Sequence, residues 1–188
     1  MNAVDRSHLD TLYAETDDPW NFRTSDYEAD KFVATVAALP RPRYAHALEL
    51  GCGNGELARR VAPVCAAYTG LDAVDAALAA ARVAVPRGRF VQGFLPCALP
   101  TGYYDLIVLS EVLYFLDADG IAALSDEIDA RWPCADILCV SWRGPSGNPL
   151  GGEEAFELFR AATRRSHRQA VSERSYRIDL LSPLERRA

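Results

Sequence analysis

Glycines and acids in two short stretches of the chain have the spacing of a ligand site. The first stretch, LELGCGNGELA at residues 48–58, places glycines at 51, 53 and 55 directly behind an apolar run that contains Glu49. Glycine adopts positive φ and has no Cβ, so such a turn lets the backbone approach a ligand closely. The helix expected after the turn presents its free N–H groups to the same place. This turn is therefore the first candidate for a binding site.

The residue that follows the turn narrows the choice of ligand. A dinucleotide site needs a third small residue three positions after the second glycine, where this chain has Glu56. A carboxylate there repels a pyrophosphate but tolerates a ligand with little negative charge. S-adenosylmethionine meets that condition, because its sulfonium is cationic and its amino-acid end carries both an ammonium and a carboxylate. Asp72, 21 residues beyond Gly51, is placed to accept hydrogen bonds from ribose hydroxyls. The order strand, E-x-G-x-G-x-G, helix and strand ending in Asp favours a nucleoside site over a turn that only redirects the chain.

The second stretch, SEVLYFL at residues 110–116, follows the most hydrophobic run of the chain. Methyl transfer from a sulfonium is an in-line displacement, in which the main task of the protein is alignment. An alkylamine acceptor is protonated at neutral pH, so a nearby carboxylate would orient the ammonium and take its proton. We expect Glu111 to have this role and Tyr114 to orient the substrate. The alternative, which does not exclude the first, is that Glu111 lies in the first turn of a helix and interacts with its dipole.

The surrounding pattern predicts a sheet that positions both stretches. Two helices are expected first, one at 6–15 and one that starts at a capping box formed by Ser25 and Glu28. Apolar runs then predict strands at 44–50, 66–72, 89–93, 103–110 and 135–142, separated by helices at 55–64, 74–84 and 119–130 and followed by a loop at 143–152, a helix at 153–163 and a hairpin. This alternation predicts an α/β fold with a doubly wound, mostly parallel sheet and helices on both faces. Ligands of such sheets bind beyond the carboxyl ends of the strands, where both stretches fall.

Composition argues against several classes of protein. The chain has 188 residues, of which 49% are hydrophobic, so we expect one domain without disulfide bonds. A net charge of −6 and a pI near 5.1 argue against nucleic-acid binding. The five cysteines include no CxxC pair and the three histidines are far apart, so we expect no metal site. The sequence has no apolar run that could span a bilayer and no signal-peptide pattern at its start, so a cytoplasmic location is expected.

The segments ALELGCGNGELA, GLDAVDAALAAAR and YDLIVLSEVLYFL together resemble class I S-adenosylmethionine-dependent methyltransferases over residues 44–182. DDPW at 17–20, ahead of a helix that starts with Tyr27 and Glu28, and SEVLYFL narrow the resemblance to the NodS-like methyltransferases. That family N-methylates the free amine of a deacetylated chitooligosaccharide. The resemblance implies a Rossmann-like seven-stranded sheet with its last strand antiparallel, and S-adenosylhomocysteine as a product. It also implies a lid of residues 1–43 over a core of residues 44–188.

The resemblance assigns roles to individual residues. Glu49 and the glycines would hold the methionine end of the cofactor, Asp72 the ribose, and Trp20 would help the lid to exclude water. Many relatives carry an Asp after the third strand that bonds the adenine amine, but this chain has Phe94 there, so we expect stacking and backbone contacts around Phe94 and Leu95 instead. The expected cofactor contacts are Trp20, Glu49, Gly51, Cys52, Gly53, Gly55, Asp72, Ala73, Phe94, Leu95, Ser110 and Glu111. The expected acceptor contacts are Arg23, Tyr27, Tyr114, Trp142 and Arg143.

Three functions remain open from the sequence. The chain is an N-methyltransferase on an amino sugar or other amine, an O-methyltransferase on a hydroxylated metabolite, or a cofactor-binding protein without catalysis, an alternative that Phe94 keeps open. Tyr27-x-x-x-Lys31 has the spacing of a short-chain dehydrogenase pair, but it precedes the glycine strand, whereas that family has the pair after strand four. From the composition and the resemblance, we expect a small-molecule or oligosaccharide acceptor, no nucleic-acid or membrane partner, and a monomer or homodimer.

Overall fold

A mixed sheet of seven strands organises the chain. The structure is a computed structural model that describes residues 6–184, with the backbone alone for residues 6–8 and 10. The strands are β1 (Tyr44–Leu50), β2 (Cys65–Asp72), β3 (Arg89–Gln92), β4 (Leu106–Ser110), β5 (Asp136–Trp142), β6 (His167–Ser172) and β7 (Tyr176–Leu181). Their order across the sheet is β3-β2-β1-β4-β5-β7-β6. β7 is antiparallel to both of its neighbours, whereas β1 to β5 pair in parallel. The predicted fold class is thereby confirmed, including the antiparallel last strand.

Helices cover both faces of this sheet. They are α1 (Arg6–Ala14), α2 (Asp26–Ala37), α3 (Glu56–Val61), α4 (Asp75–Ala84), α5 (Ala118–Arg131) and α6 (Gly152–Ala162). Successive residues of β1 alternate between two cores: Leu48 and Leu50 pack with α5 and α6, whereas Ala47 packs with α2, α3 and α4. Among residues 6–184, no helix is both long and apolar enough to cross a bilayer.

The fourth strand is shorter than predicted. It begins at Leu106, although the apolar pattern placed its start at residue 103. Tyr103 is 65% exposed, and the Asp105 carboxylate accepts hydrogen bonds from the backbone N–H groups of Ala45 (3.0 Å) and His46 (2.8 Å). The chain therefore enters β4 through a side-chain contact to β1, and the preceding residues do not extend the strand.

The helix after the glycine turn is also shorter than predicted. α3 ends at Val61, and residues 62–64 form a 3₁₀ turn that contains Pro63. Proline lacks a backbone N–H and clashes with the preceding turn, so an α-helix does not continue regularly through it.

The sheet order places the two predicted stretches side by side. β1 pairs in parallel with both β2 and β4, so their carboxyl ends share one edge of the sheet. The glycine turn follows β1, Asp72 ends β2, and residues 110–116 follow β4. This edge is where the strand order reverses direction and where such sheets bind ligands.

Candidate active site

A cavity of about 470 Å³ opens at this edge of the sheet. Its volume falls within the roughly 300–1,000 Å³ of small-molecule sites. Most of the predicted site residues line it, namely Trp20, Tyr27, Glu49, Gly51, Cys52, Gly53, Asp72, Ala73, Phe94, Leu95, Ser110, Glu111, Tyr114 and Trp142. One wall comes from the N-terminal segment, through Leu9, Tyr13, Trp20, Phe22, Ser25, Tyr27, Glu28, Lys31 and Phe32.

The glycine turn is tied to the end of β2 by its backbone. The N–H groups of Gly51 and Cys52 both donate to the Leu71 carbonyl, at 2.8 and 3.0 Å. Gly51 has a φ of 76°, and a Cβ there would lie 2.7 Å from a methyl group of Val112. Because only glycine satisfies both conditions, the first glycine of the turn is required for the close approach of the loop that follows β4.

The third glycine serves helix packing. Gly55 has a φ of 81°, and a Cβ on it would lie 2.8 Å from Cα of Ala81 in α4. It is not among the residues that line the cavity. The structure therefore places Gly55 between α3 and α4, in contrast to the cofactor contact expected from the sequence.

The Asp72 carboxylate anchors the glycine turn through hydrogen bonds to the backbone. One carboxylate oxygen accepts a hydrogen bond from the Gly53 N–H (2.8 Å) and the other from the Val74 N–H (3.0 Å). Burial raises the pKa of Asp72, and these backbone hydrogen bonds counteract part of that rise. A carboxylate has about four acceptor sites, so Asp72 retains the capacity to accept from further donors in the cavity.

Glu49 is a buried acid near the end of β1, just before the same turn. Its side chain is 1% exposed, and Tyr68 donates a hydrogen bond of 2.5 Å to its Oε2. Burial raises the pKa of Glu49 from an ordinary value of 4.5 to about 8, although the Tyr68 hydrogen bond lowers it. Glu49 is therefore largely protonated at neutral pH, until a cation enters the cavity beside it.

An apolar corner lies next to the end of β2. Phe94 packs against a cluster that includes Tyr13, Ala73, Val74 and Ala77. Ala73, Val74 and Phe94 all line the cavity. The structure thus places Phe94 and Ala73 together in a corner that suits a flat aromatic group, and their role as adenine contacts stays a prediction.

Glu111 joins three elements of the fold at the other end of the cavity. Its Oε1 accepts a hydrogen bond from Lys31 Nζ of α2 at 3.0 Å. Its Oε2 accepts from the Tyr114 hydroxyl at 3.1 Å and from the backbone N–H of Trp142 at 2.8 Å. Glu111 has a φ of 55°, a strained conformation for a non-glycine residue that is enriched at functional sites. Because Glu111 precedes a 3₁₀ turn (Leu113–Phe115), the alternative placement in the first turn of a helix is wrong.

Lys31 is a site residue that the sequence analysis missed. It is 3% exposed, and its ammonium lies between the carboxylates of Glu28 and Glu111, at 2.9 and 3.0 Å. Burial lowers the pKa of Lys31, but Glu111 and Glu28 outweigh burial and raise it overall, so it remains a cation. The available signal was its place on α2: Glu28, Lys31 and Thr35 share the buried face of that helix. A lysine on the buried face of an amphipathic helix requires a charged partner in the interior.

Two predicted acceptor contacts lie beside the cavity and not in its lining. Arg23 forms two 2.8 Å hydrogen bonds to the Asp17 carboxylate and lies 3.6 Å from Glu56. Arg143 donates to Glu153 at 3.0 Å and to the Ser172 hydroxyl at 3.1 Å. Acids and a hydroxyl thus engage both guanidinium groups, and neither arginine lines the cavity.

Aromatic rings form the wall near Lys31. The Tyr27 ring meets the rings of Trp142 and Tyr176 edge-on, with centroids 6.1 and 6.0 Å apart. Lys31 Nζ lies 5.4 Å from the centroid of Tyr27. Trp20, which is 40% exposed, stacks on Phe22 at 5.7 Å. The predicted residues Tyr27, Trp142 and Trp20 are therefore all at the cavity, and Tyr27 lies directly beside the lysine.

The DDPW segment connects the N-terminal wall to the glycine turn. The Asp18 carboxylate accepts hydrogen bonds from the Phe22 N–H (2.8 Å) and from the Asn54 side-chain amide (2.9 Å). Asn54 is 1% exposed and lies within the turn itself. This contact fixes the wall of the cavity against the element that is expected to hold the cofactor.

A glycine turn after β1, an acid at the end of β2 and a sheet with one antiparallel strand define the Rossmann-like fold of the class I methyltransferases. Within that class, the sequence model of the Nodulation protein S (NodS) family matches residues 5–130. The chain belongs to this family, and the predicted resemblance is confirmed.

Relatives and solved structures agree with this assignment. Nodulation protein S of Bradyrhizobium diazoefficiens is 28% identical over 158 residues, which cover 76% of this chain and 73% of the relative. The crystal structure of a candidate methyltransferase from Pseudomonas syringae is 34% identical, with a TM-score of 0.72 over 83% of this chain and 98% of that one. N-methyltransferase NodS from Bradyrhizobium japonicum WM9, in complex with S-adenosyl-L-homocysteine, has a TM-score of 0.81 at 21% identity, over 96% of this chain and 100% of that one. The last similarity supports the fold.

Proposed function

We propose that this chain transfers the methyl group of S-adenosylmethionine to an amine of a small molecule or amino sugar, such as a deacetylated chitooligosaccharide. The observation that carries the proposal is the charge of the cavity. Among the described residues that line it, the acids are Glu28, Glu49, Glu56, Asp72 and Glu111, and the basic side chain is Lys31. Even with Glu49 protonated, the other acids outnumber the lysine, and such an excess of carboxylates favours cations and repels phosphates. A sulfonium and a protonated amine are both cations.

The residues at the glycine turn fit the cofactor. S-adenosylmethionine supplies an electrophilic methyl group on a sulfonium when it is bound. The turn from Gly51 to Gly53 would receive its amino-acid end, and Asp72 has acceptor capacity left for ribose hydroxyls. The apolar corner formed by Ala73 and Phe94 would take the adenine. In this arrangement adenine is recognised by shape and stacking, without the acid that many relatives use.

The N-terminal segment completes the proposal as a lid. We propose that residues 1–43, of which the structure describes 6–43, cover the cofactor and keep water from the reacting atoms. The support is the wall that α1, α2 and the DDPW segment build on the cavity, with Trp20 at its rim. In the same proposal, Tyr27 and Trp142 shape the opening through which the acceptor amine enters.

Two measurements test this function. Calorimetry should detect binding of S-adenosylhomocysteine and no binding of a nicotinamide dinucleotide, and an Asp72→Ala variant should bind the nucleoside more weakly. Incubation with methyl-labelled S-adenosylmethionine and a panel of amines and alcohols, including glucosamine and its short β-1,4 oligomers, should place the label on an amine. Label on a hydroxyl would instead indicate an O-methyltransferase, and nucleoside binding without transfer to any acceptor would indicate a protein without catalysis.

A further inference from the structure

Glu28 does not make the contact that its sequence position predicts. In a capping box, the Glu28 carboxylate would return to the N–H of Ser25. The structure forms only the other half, in which the Glu28 N–H donates to Ser25 Oγ at 3.3 Å. The Ser25 N–H already donates to the carbonyl of Asn21 at 3.0 Å, in a turn where Asn21 has a φ of 56°. This turn leaves the Glu28 carboxylate free to lie in the lining of the cavity.

One oxygen of that carboxylate has unused acceptor capacity. Glu28 is 9% exposed, and its Oε1 accepts a hydrogen bond from Lys31 Nζ at 3.0 Å. Its Oε2 is 2.9 Å from the same ammonium, but it is buried and has no hydrogen-bond partner among residues 6–184. A buried oxygen without a hydrogen-bond donor is unfavourable, so such an atom on a residue that lines a cavity points to a donor supplied by a ligand.

Glu111, the acid expected to act as base, is in the opposite condition. Both of its oxygens already accept hydrogen bonds, from Lys31 on one side and from Tyr114 and the Trp142 N–H on the other. These three donors hold the Glu111 carboxylate in one orientation. Its contacts connect α2, the loop after β4 and the end of β5, which suits a residue that fixes geometry.

The charges around Glu28 adjust its affinity for a proton. Burial raises the pKa of Glu28, the ammonium of Lys31 lowers it, and the carboxylates of Glu111 and Asp18 raise it further. The net direction is upward, which brings Glu28 closer to the range useful for a base at neutral pH. Lys31 stays protonated, so it holds the two acids in place and does not accept the proton itself.

We propose that Glu28, and not Glu111, takes the proton from the acceptor amine, and that Glu111 and Lys31 act as positioning residues. The proposal rests on the N-methyltransferase function proposed above. The acceptor enters as an ammonium and donates to Oε2 of Glu28, the buried oxygen without a partner. It thereby occupies the place of the missing donor beside Lys31.

Atoms, charges and electrons balance in this step. The N–H bond breaks, its proton moves to Glu28 and the electron pair stays on nitrogen as a lone pair. That lone pair forms the new N–C bond to the methyl group, while the C–S bond breaks and its electrons remain on sulfur. The products are a methylated ammonium, the neutral thioether S-adenosylhomocysteine and a protonated Glu28, which returns its proton to solvent when the products leave.

The test compares two matched variants, Glu28→Gln and Glu111→Gln, in the full chain. We expect Glu28→Gln to lower kcat by about 10²–10⁴-fold, while its Kd for S-adenosylhomocysteine stays within about twofold of wild type. The loss should shrink as the pH rises towards the pKa of the free amine, because an acceptor that arrives uncharged needs no base. Glu111→Gln should raise KM more than it lowers kcat, and it should keep the wild-type shape of the pH profile.

A second variant keeps the test decisive if Glu28→Gln is poorly folded. Glu28→Asp retains the charge but shortens the side chain by one methylene, so it should fold, keep the wild-type pH profile and lose part of kcat. The inference is overturned if Glu28→Gln keeps the wild-type kcat, or if the loss that high pH restores belongs to Glu111→Gln. A wild-type protein that binds the nucleoside but methylates no amine refutes the proposed function itself, whereas wild-type turnover with an unaffected Glu28→Gln refutes only the inference.

Discussion

Replacing Lys31 by methionine should remove the positive charge that pairs with Glu28 and Glu111 at one end of the cavity. Lys31 makes ion pairs of 2.9 and 3.0 Å with two glutamates whose side chains are only 12% and 16% exposed. At 3 Å and an effective dielectric constant near 20, each pair attracts by about 5 kcal/mol, and most of this offsets the desolvation of the three charges. Removing one partner of a buried pair generally costs about 3–5 kcal/mol. Because both glutamates retain some solvent contact, we expect the lower end, a loss of about 3 kcal/mol.

Urea unfolding followed by circular dichroism measures this loss. In a thermal scan of a chain of this size, the same loss of 3 kcal/mol should lower Tm by about 6–12 °C. The deficit should shrink as the pH falls, because protonation of Glu28 removes one of the unpaired charges, and burial raises the pKa of Glu28 and so brings that protonation closer to neutral pH. The double variant Lys31→Met with Glu28→Gln is the control and should recover at least about 1 kcal/mol. A deficit below about 1 kcal/mol, or one that does not change between pH 5 and 8, would refute the ion-pair account.

Three further outcomes follow from the glycine turn and the acids beneath it. Gly55→Ala should lower the free energy of unfolding by about 2 kcal/mol or more, because the added Cβ would lie 2.8 Å from Cα of Ala81 and φ at this position is positive, and denaturant unfolding checks this. Asp72→Asn should weaken S-adenosylhomocysteine binding by about 10–100-fold in calorimetry, the value of hydrogen bonds to a charged group, and an unchanged Kd contradicts the ribose contact. Glu49 has a folded pKa of about 8, raised by burial, so its contribution to stability is present at low pH and is lost as the pH rises from about 4.5 to about 8. The stability of wild type relative to Glu49→Gln should therefore fall across that range, and a constant difference argues against a protonated Glu49.

Local patterns were sufficient to predict most of the sheet. β1 occupies the predicted residues 44–50, because an apolar run bounded by prolines and glycines has few other solutions. β4 was predicted too long because burial and strand structure are different properties. Tyr104 is 1% exposed, but its ring packs on Trp132 at 5.2 Å from a loop, and the strand begins only at Leu106.

The glycine turn and Asp72 were predictable because short sequence patterns mark them, whereas the end of the cavity that contains Lys31 and Glu111 was not. Lys31 meets Glu111 across 80 positions of the chain, and no short pattern encodes that contact. The Asn21 carbonyl accepts the hydrogen bond from the Ser25 N–H that Glu28 was expected to bind, so only one half of the predicted capping box forms. Arg23 was predicted to contact the acceptor from its position in the expected lid, but its side chain pairs with Asp17.

Charged groups of the cavity come from separate parts of the polypeptide. The sheet supplies the turn and Asp72 around the nucleoside, whereas Glu28 and Lys31 come from a single helix, α2, which precedes the sheet. Under the proposed function, substitutions within α2 should change which amine is accepted and leave the glycine turn and Asp72 unchanged. A library confined to the cavity-facing positions of that helix is accordingly the direct way to test whether this scaffold can be retargeted to new acceptors.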